Sequence, residues 1–146
     1  MPAPQTYKNH GRFDPIFHMF LLPILLLNFC FSIFTTIRHW PQHPHLFGWW
    51  IVMSIALMIL AFKARTYALK AQDRVIRLEE RMRLAQILPA SEHPRIDDIS
   101  CAQLIALRFA PDQELAPIAL KALDQNLAPK TIKESIINWR ADDHRV

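Results

Sequence analysis

The chain of 146 residues is too short for two independent globular domains. It carries 17 Lys and Arg against 13 Asp and Glu, for a formal net charge of +4, and 26 of these 30 charged residues follow residue 62. The basic excess lies between Lys63 and Arg83, whereas residues 96–146 are mildly acidic. The charge pattern therefore favours a membrane surface over nucleic acid as a partner.

The first apolar segment covers 16–37, 22 residues without Asp, Glu, Lys or Arg. About 20 helical residues cross the hydrocarbon core of a bilayer, so we predict a transmembrane helix here, preceded by an N-terminal cytoplasmic segment, 1–15. Asp14 and Pro15 are typical of the N-cap and first position of a helix, and Pro23 predicts a kink. Because the apolar run exceeds the roughly 7–15 residues of the hydrophobic region of a cleaved signal peptide, we expect it to be retained.

A second apolar segment, Trp40 to Phe62, has 23 residues without charge and predicts a transmembrane helix over 46–66. An external loop, 38–45, would join the two spans, since its prolines interrupt the helix. No further proline occurs until Pro89. We therefore expect the second helix to continue beyond the membrane as a cytoplasmic extension, 67–88.

Four apolar residues of this extension recur at the 3-4-3 spacing of a coiled-coil seam: Val75, Leu78, Met82 and Ala85. Two heptads are fewer than a confident coiled-coil prediction needs, so we predict that the seam packs against the chain's own tail. On the same helix, Asp73–Arg77 and Glu79–Arg83 have the spacing of stabilising ion pairs.

The remainder of the chain predicts a linker, 89–98, and a helical cytoplasmic tail, 99–146. The tail is marginal in size for an independent core, so we expect its helices to pack together and partly on the end of the long helix. The predicted fold class is all-α. It combines a two-helix transmembrane hairpin, whose second helix extends into the cytoplasm, with a small C-terminal three-helix module.

Local signals mark the three helices of the tail. Ser100 and Gln103 form a capping box for the first helix, and Pro111–Asp112 would end it and cap the second. The third would begin near Pro129. Its apolar face would contain Ile132, Ile136 and Trp139.

Cations beside the spans predict the orientation, because loops rich in Lys and Arg stay in the cytoplasm. Five cations follow the second span closely, Lys8 and Arg12 precede the first, and the external loop has only Arg38. We therefore expect a multi-pass protein of the inner (cytoplasmic) membrane with both termini in the cytoplasm. Interfacial aromatic anchors would be Trp40, Trp49, Trp50 and Tyr67.

Two sets of residues are candidate working surfaces. Asn28, Ser32 and Thr35 share a face of the first span, and a polar face within lipid is expected to turn toward protein. The second set consists of cations near the inner end of the second span, where anionic lipid headgroups would attract them. Its members are Lys63, Arg65, Lys70 and Arg74.

No segment contains a catalytic or cofactor motif, so we assign no catalytic residue, cofactor or metal ligand. His39, His43 and His45 share the external loop, but their spacing matches no closed zinc site, and we interpret them as polar loop residues. Asp14 and His18 could act as an acid–base pair, although no nucleophile or second acid accompanies them.

Residues 126–133, NLAPKTIK, are similar to the turn and recognition-helix start of some helix-turn-helix regulators. DNA binding needs a basic footprint, whereas the tail carrying this segment is mildly acidic. Nucleic acid is therefore not expected as a partner.

Four stretches carry a family resemblance: TYKNHGRFDPIFH, RTYALKAQDRVIRLEERMRLAQILPA, LIALRFAPDQEL and LAPKTIKESIINWRADDHRV. In this order they cover nearly the whole chain, which resembles a family of short bacterial two-span membrane proteins known only as a domain of unknown function. The resemblance implies a bacterial integral membrane protein with a cytoplasmic helical tail, and it implies no activity. In relatives the last helix opens with Thr-Pro-Lys, whereas this chain has Ala128 in place of the capping Thr.

The expected function is that of a non-enzymatic membrane anchor or interaction module acting through its cytoplasmic helices. Its partners would be the lipid bilayer and either an unidentified protein or a second copy in a homo-oligomer. A membrane-tethered enzyme or lipid-handling protein is the alternative, and a membrane-bound helix-turn-helix regulator is a third. Because the tail offers no converging acid, base and nucleophile, the first interpretation is favoured.

Overall fold

The computed structural model describes residues 6–7, 11, 13–39 and 42–141. Within these ranges the regular structure is helical and no residue belongs to a strand, which confirms the all-α fold class. The chain divides into two compact units, Arg12–Leu69 and Lys70–Val146 with Met1–Gly11, and the division falls inside the second long helix. Three residues used to predict orientation and anchoring lie outside the described part: Lys8, Arg12 and Trp40.

The first unit begins with a π-helical segment, Ile16–Leu21, that continues as helix α1, Leu22–His39. Asp14 caps the start as predicted, since its Oδ1 accepts the backbone N–H of Phe17 at 3.2 Å. The N–H of Leu22 donates to the carbonyl of Phe17, five residues earlier. Pro23, which has no N–H to give to the carbonyl four residues earlier, follows directly. The distortion expected at this proline therefore includes a wide helical turn before it.

Helix α2 spans Pro44–Ile87, 44 residues without interruption. A short turn leads into it, because the N–H groups of Gln42 and His43 donate to the carbonyl of His39 at 3.1 and 3.4 Å. Pro44 stands at the first helical position, where no donor is needed, so α2 begins two residues before the predicted 46. The prediction of one continuous helix as far as Pro89 is confirmed.

Aromatic contacts join the π-helical segment and α1 to α2 within the first unit. The ring centroids of Phe17 and Phe62 are 6.2 Å apart, and those of Phe31 and Trp50 are 5.7 Å apart, both edge to face. Later residues of α1 thus contact earlier residues of α2. Both helices are long and apolar enough to cross a membrane, with mean hydropathies of 2.2 and 2.0 in their most apolar windows.

The second unit contains a short helix where a linker was predicted. After Pro89, residues Ala90–Asp98 form a 3₁₀ helix whose Ile96 is buried in the core. Arg95 ties this helix to the tail, because its guanidinium pairs with Glu92 at 2.8 Å and also with Asp124. The segment 89–98 is therefore an ordered part of the unit, and its Pro and charged residues gave no sign of that.

Three α-helices follow: α3, Cys101–Leu107; α4, Asp112–Gln125; and α5, Pro129–Ser135. The capping box of Ser100 and Gln103 is present at the start of α3, as predicted. Asp112 is the first residue of α4 rather than its cap, because Pro111 holds the N-cap position. Asn126 ends α4 in the left-handed conformation, with φ at 47°, which suits Asn better than most residues.

Helix α5 is shorter than predicted, since Ile136 is already extended, with φ −76° and ψ 122°. The prediction that the helix continues to Trp139 is wrong, because the following backbone groups bind elsewhere. Ile137 and Asn138 donate to Glu114 at 2.9 and 3.0 Å, and Arg140 donates to the carbonyl of Phe109 at 2.8 Å. Trp139 still reaches the core, with its ring 4.8 Å from that of Phe109.

The core of the second unit joins the end of α2 to the tail, as expected. Leu84 of α2 and Leu88, just beyond the end of the helix, are buried together with residues of every tail helix. The largest fully buried tail residues are Phe109, Leu104, Leu107, Leu115 and Ile132. The C-terminal module therefore uses the end of the long helix as one wall of its core.

The start of α5 offers a stability test. Ala128 lies in the extended conformation of an N-cap and makes no side-chain cap. Ala128→Thr should therefore stabilise the tail by about 1 kcal/mol through a hydroxyl bond to the first-turn N–H groups. Amide exchange of α5 in the full chain measures the gain. Ala128→Val is the matched control, and equal protection in the Thr and Val variants would contradict a capping effect.

Candidate interaction surfaces

Asn28 is the principal polar link between α1 and α2. Its Nδ2 donates to Ser54 Oγ at 2.7 Å, and its Oδ1 accepts Trp50 Nε1–H at 3.1 Å. Ser54 in turn donates to the carbonyl of Trp50 at 2.9 Å. The amide of Asn28 thus uses both its donor and its acceptor on the neighbouring helix.

The rest of the predicted polar face is placed differently. Ser32 is fully buried and donates to the carbonyl of Phe29 in its own helix at 2.7 Å. Thr35 bonds only to carbonyls of α1. Thr36, one residue further, is buried and its hydroxyl lies 3.4 Å from the carbonyl of Phe47 in α2. Asn28 and Thr36 therefore bond to α2, whereas the side-chain hydrogen bonds of Ser32 and Thr35 stay within α1.

The four predicted lipid-binding cations have different surroundings. Arg65 lies 3.4 Å from a carboxylate oxygen of Asp14, and its guanidinium is 5.7 Å from the ring of Phe17. It is therefore held inside the first unit rather than presented to headgroups. Lys63 is exposed and lies 5.9 Å from the Tyr67 ring centroid. Lys70 and Arg74 are exposed and make no ion pair with another described residue.

The histidines make local structural contacts. His18 Nδ1 lies 2.8 Å from the main-chain carbonyl of Asp14, whose carboxylate is the group paired with Arg65. An acid–base pair of His18 with the Asp14 carboxylate is therefore not formed. His39 stacks on Phe47 and contacts the carbonyl of Thr35 at 3.1 Å. Among the described residues, no three His, Cys, Asp or Glu side chains cluster as metal ligands would.

Beyond Lys70, helix α2 has one buried and one exposed apolar face. The buried face consists of Ile76, Glu80 and Leu84 and continues with Leu88 just beyond the helix; Leu84 and Leu88 belong to the core of the second unit. The residues of the predicted seam are exposed, with exposed fractions of 53% for Val75, 62% for Leu78 and 57% for Met82. Ala85 is exposed as well. We call these four residues the exposed stripe.

The prediction that this seam packs against the tail is therefore wrong. The tail instead covers the face that carries Leu84 and Leu88. Polar side chains beside these leucines form hydrogen bonds and ion pairs with the tail. Arg83 is the main one, since it pairs with Glu80 at 3.2 Å, with Asp112 at 2.6 Å and with the carbonyl of Ala110 at 2.7 Å. The predicted pair of Glu79 with Arg83 is not formed, because Arg83 turns toward the tail.

Glu80 is the acidic residue on the buried face of α2. Burial raises the pKa of Glu80, and the nearby Arg83 opposes the rise. Because the folded protein then holds the proton more tightly than the unfolded chain, this residue's contribution to stability falls as pH rises from the ordinary carboxyl pKa through the higher folded value. Arg83 limits this loss by pairing with the ionised form.

Glu114 organises the end of the described chain. Its carboxylate accepts the N–H of Ile137 at 2.9 Å and both the N–H and the Nδ2 of Asn138 at 3.0 and 2.8 Å. The hydrogen bond from Ile137 and those from Asn138 lower the pKa of Glu114. Its stabilising effect is therefore present at neutral pH and is lost as pH falls through the lowered pKa.

An open cavity of about 460 Å³ lies beside this network and is lined by Arg83, Pro111, Asp112, Gln113 and Arg140. The guanidinium of Arg83 is already bonded on all three nitrogens. Of the two guanidinium groups that line the cavity, the one of Arg140 is therefore the main group left for a ligand.

The segment similar to a helix-turn-helix start forms a compact turn into α5. Asn126 reverses the chain, and Ile132 is fully buried in the core. Lys130 is 3.9 Å from Glu134, and Lys133 lies 5.8 Å from the Phe109 ring. A helix of seven residues with both lysines engaged gives little basic surface for a DNA groove.

Comparison with known proteins supports the family resemblance. The model of the family of unknown function DUF6526 matches residues 1–146, so the chain belongs to this family. No curated protein and no solved structure matches the chain. Membership in this family brings no biochemical role with it.

Sequence reasoning paired Arg83 with Glu79 and did not single out Glu114, so it missed the bonds that these two residues make to the tail. Each partners groups more than 20 positions away, Asp112 for Arg83 and Asn138 for Glu114. For Glu114 the only local signal was its place in the first turn of α4, where an acidic residue is also explained by its favourable interaction with the helix dipole.

The Asn28 contact predicts a measurable loss. Asn28→Leu leaves the indole N–H of Trp50 without its acceptor and removes the bond to Ser54. At about 0.6 kcal/mol for each interhelical hydrogen bond, the α1–α2 pair should lose about 1 kcal/mol, seen as a lower melting temperature in detergent micelles. Leu26→Ala, at an exposed position of α1, should change little. An unchanged melting temperature in the Asn28→Leu variant would show that these bonds add no stability.

Proposed function

We propose that this protein is an integral membrane protein of the bacterial inner membrane that presents a non-enzymatic interaction module in the cytoplasm. The observation that carries the proposal is the exposed stripe on α2. Large apolar side chains uncovered on a charged helix are a recurrent sign of a binding surface. The second unit packs a core on one face of α2 and leaves this other face open.

The membrane assignment is supported by how little of each apolar helix is covered. Only 6% of the most apolar window of either helix is buried, whereas the core helix of a soluble protein would be mostly buried. The exposed side chains are large, and include Leu27, Phe34, Ile37 and Leu60. Exposure of these apolar side chains costs free energy in water, whereas contact with lipid chains carries no such cost.

The orientation is supported by the distribution of cations. Lys63, Lys70 and Arg74 are exposed at or beyond the end of the second apolar segment, whereas residues 38–45, the predicted external loop, have Arg38 as their only Lys or Arg. By the positive-inside tendency the turn lies outside and the second unit in the cytoplasm. Exposed Lys70 and Arg74 are then available to anionic headgroups.

The enzyme and lipid-handling alternatives have less support. The carboxylate of Asp14 is paired with Arg65, and the ring of His18 faces a main-chain carbonyl. A catalytic site needs converging acid, base and nucleophile or metal, and no described cluster has that composition. The helix-turn-helix alternative is disfavoured by the short, partly neutralised α5.

Thiol labelling tests the orientation. In a background with Cys30→Ser and Cys101→Ser, a cysteine at Gln42 should react with a membrane-impermeant maleimide in intact cells. A cysteine at Ser91 should react only after permeabilisation, because the second unit lies inside. Reaction at position 91 with protection at 42 would reverse the proposed topology.

Photo-crosslinking tests the interaction role. A photoreactive phenylalanine analogue at Met82, in the exposed stripe, should give a discrete protein adduct in intact cells. The same analogue at Lys121, exposed on α4, is the control and should give none. The proposal fails if Met82 yields no protein adduct, or if both positions yield the same diffuse pattern.

A further inference from the structure

The exposed stripe has the residue types of a two-stranded coiled coil. Val75 and Leu78 occupy the positions that coiled coils call a and d, and a β-branched residue at a with Leu at d favours dimers. The same 4-3 spacing extends back through Ala71, and in the sequence through Ala68 and Ala64. Within residues 71–85 the pattern covers two heptads, so the charges that flank the stripe, rather than its length, carry the coiled-coil assignment.

The tail leaves this surface free. At about 3.6 residues per turn, Ile76, Glu80 and Leu84 lie on a different side of α2 from the exposed stripe, and those three residues are the ones the second unit buries. A second helix can therefore approach the stripe without displacing the tail. The approach would also remove from water the three large side chains left open there.

Two charges flank the exposed stripe in complementary positions. Arg74 precedes Val75 at position g, and Glu79 follows Leu78 at position e. Both are exposed, and neither makes an ion pair with another described residue. In a parallel dimer, g of one helix faces e of the next heptad in the partner, so Arg74 of each copy would meet Glu79 of the other. Twofold symmetry forms this pair twice.

We propose that the occupant of the exposed stripe is a second copy of this chain, bound as a parallel, two-stranded coiled coil over residues 71–85. This inference rests on the proposed function, because two copies inserted in one bilayer with the same orientation bring their α2 helices together in parallel. Parallel alignment is the arrangement in which Arg74 meets Glu79. An antiparallel pair would be excluded by the common topology.

Disulfide crosslinking of the full chain in membranes tests the contact. In the background without native cysteines, Leu78→Cys places a thiol at d, where the two copies approach most closely, and Arg77→Cys places one at the adjacent outward position. Mild oxidation with copper phenanthroline should give a disulfide-linked dimer at position 78 in several-fold higher yield than at 77. Equal yields would indicate random collision and overturn the proposal.

Charge exchange tests the parallel register. Arg74→Glu and Glu79→Arg each place like charges opposite one another, and each should lower the crosslinking yield of Leu78→Cys about twofold or more. The double exchange restores opposite charges and should recover the yield. Failure of the double variant to recover would contradict the pairing, as would single variants without effect.

The two proposals fail in different ways. If a different protein is crosslinked at Met82 and position 78 gives no disulfide dimer, the interaction role stands and the coiled-coil dimer is wrong. If the photoreactive group at Met82 labels only lipid, both proposals fall, because the stripe then lies on the membrane surface. A disulfide dimer at 78 together with recovery in the double exchange supports both.

Discussion

Helix α2 has proline only at its first position, Pro44, so no residue inside the helix lacks the N–H that the backbone hydrogen-bond ladder needs. In hydrocarbon such internal pairing is compulsory, because an unpaired peptide group costs several kcal/mol. Beyond the apolar half, the same unbroken ladder keeps residues three and four apart in fixed register. That register is what allows one face, with Leu84 and Leu88, to build a core while another face presents the exposed stripe.

The elements predicted correctly are those with strong local signals. The unbroken apolar runs predicted both long helices, Asp14 and the Ser100–Gln103 box predicted two helix starts, and Pro89 predicted the end of α2. The prediction failed where the local structure depends on a hydrogen-bond partner that is distant in the sequence. Helical periodicity continues through Ile136 and Trp139, but the backbone there is extended, because it bonds Glu114 and Phe109 instead of its own previous turn.

The same distinction applies to the candidate surfaces: helical spacing predicts which residues share a face, but it does not predict what that face contacts. Spacing identified an apolar stripe on α2 and a polar stripe on α1, since both depend on helical periodicity alone. Spacing could not say which element covers a stripe, and the tail covers the face that carries Leu84 and is bonded there by Arg83. The choice between Thr35 and Thr36 depended on the angle at which α2 lies against α1, and no residue of α1 encodes that angle.

Under the proposed membrane assignment, the bonds of Asn28 to Trp50 and Ser54 would influence how the chain enters a bilayer. A single α1 helix would carry an amide into hydrocarbon with nothing to bond except its own backbone. Once α2 is beside it, the same amide has both a donor and an acceptor. For a chain that spans a bilayer as proposed, the two helices would gain from entering it together, and the short connection between His39 and Pro44 would keep them paired during that step. Insertion as a pair, rather than one helix after the other, would then follow from placing this polar residue at the middle of the first apolar helix.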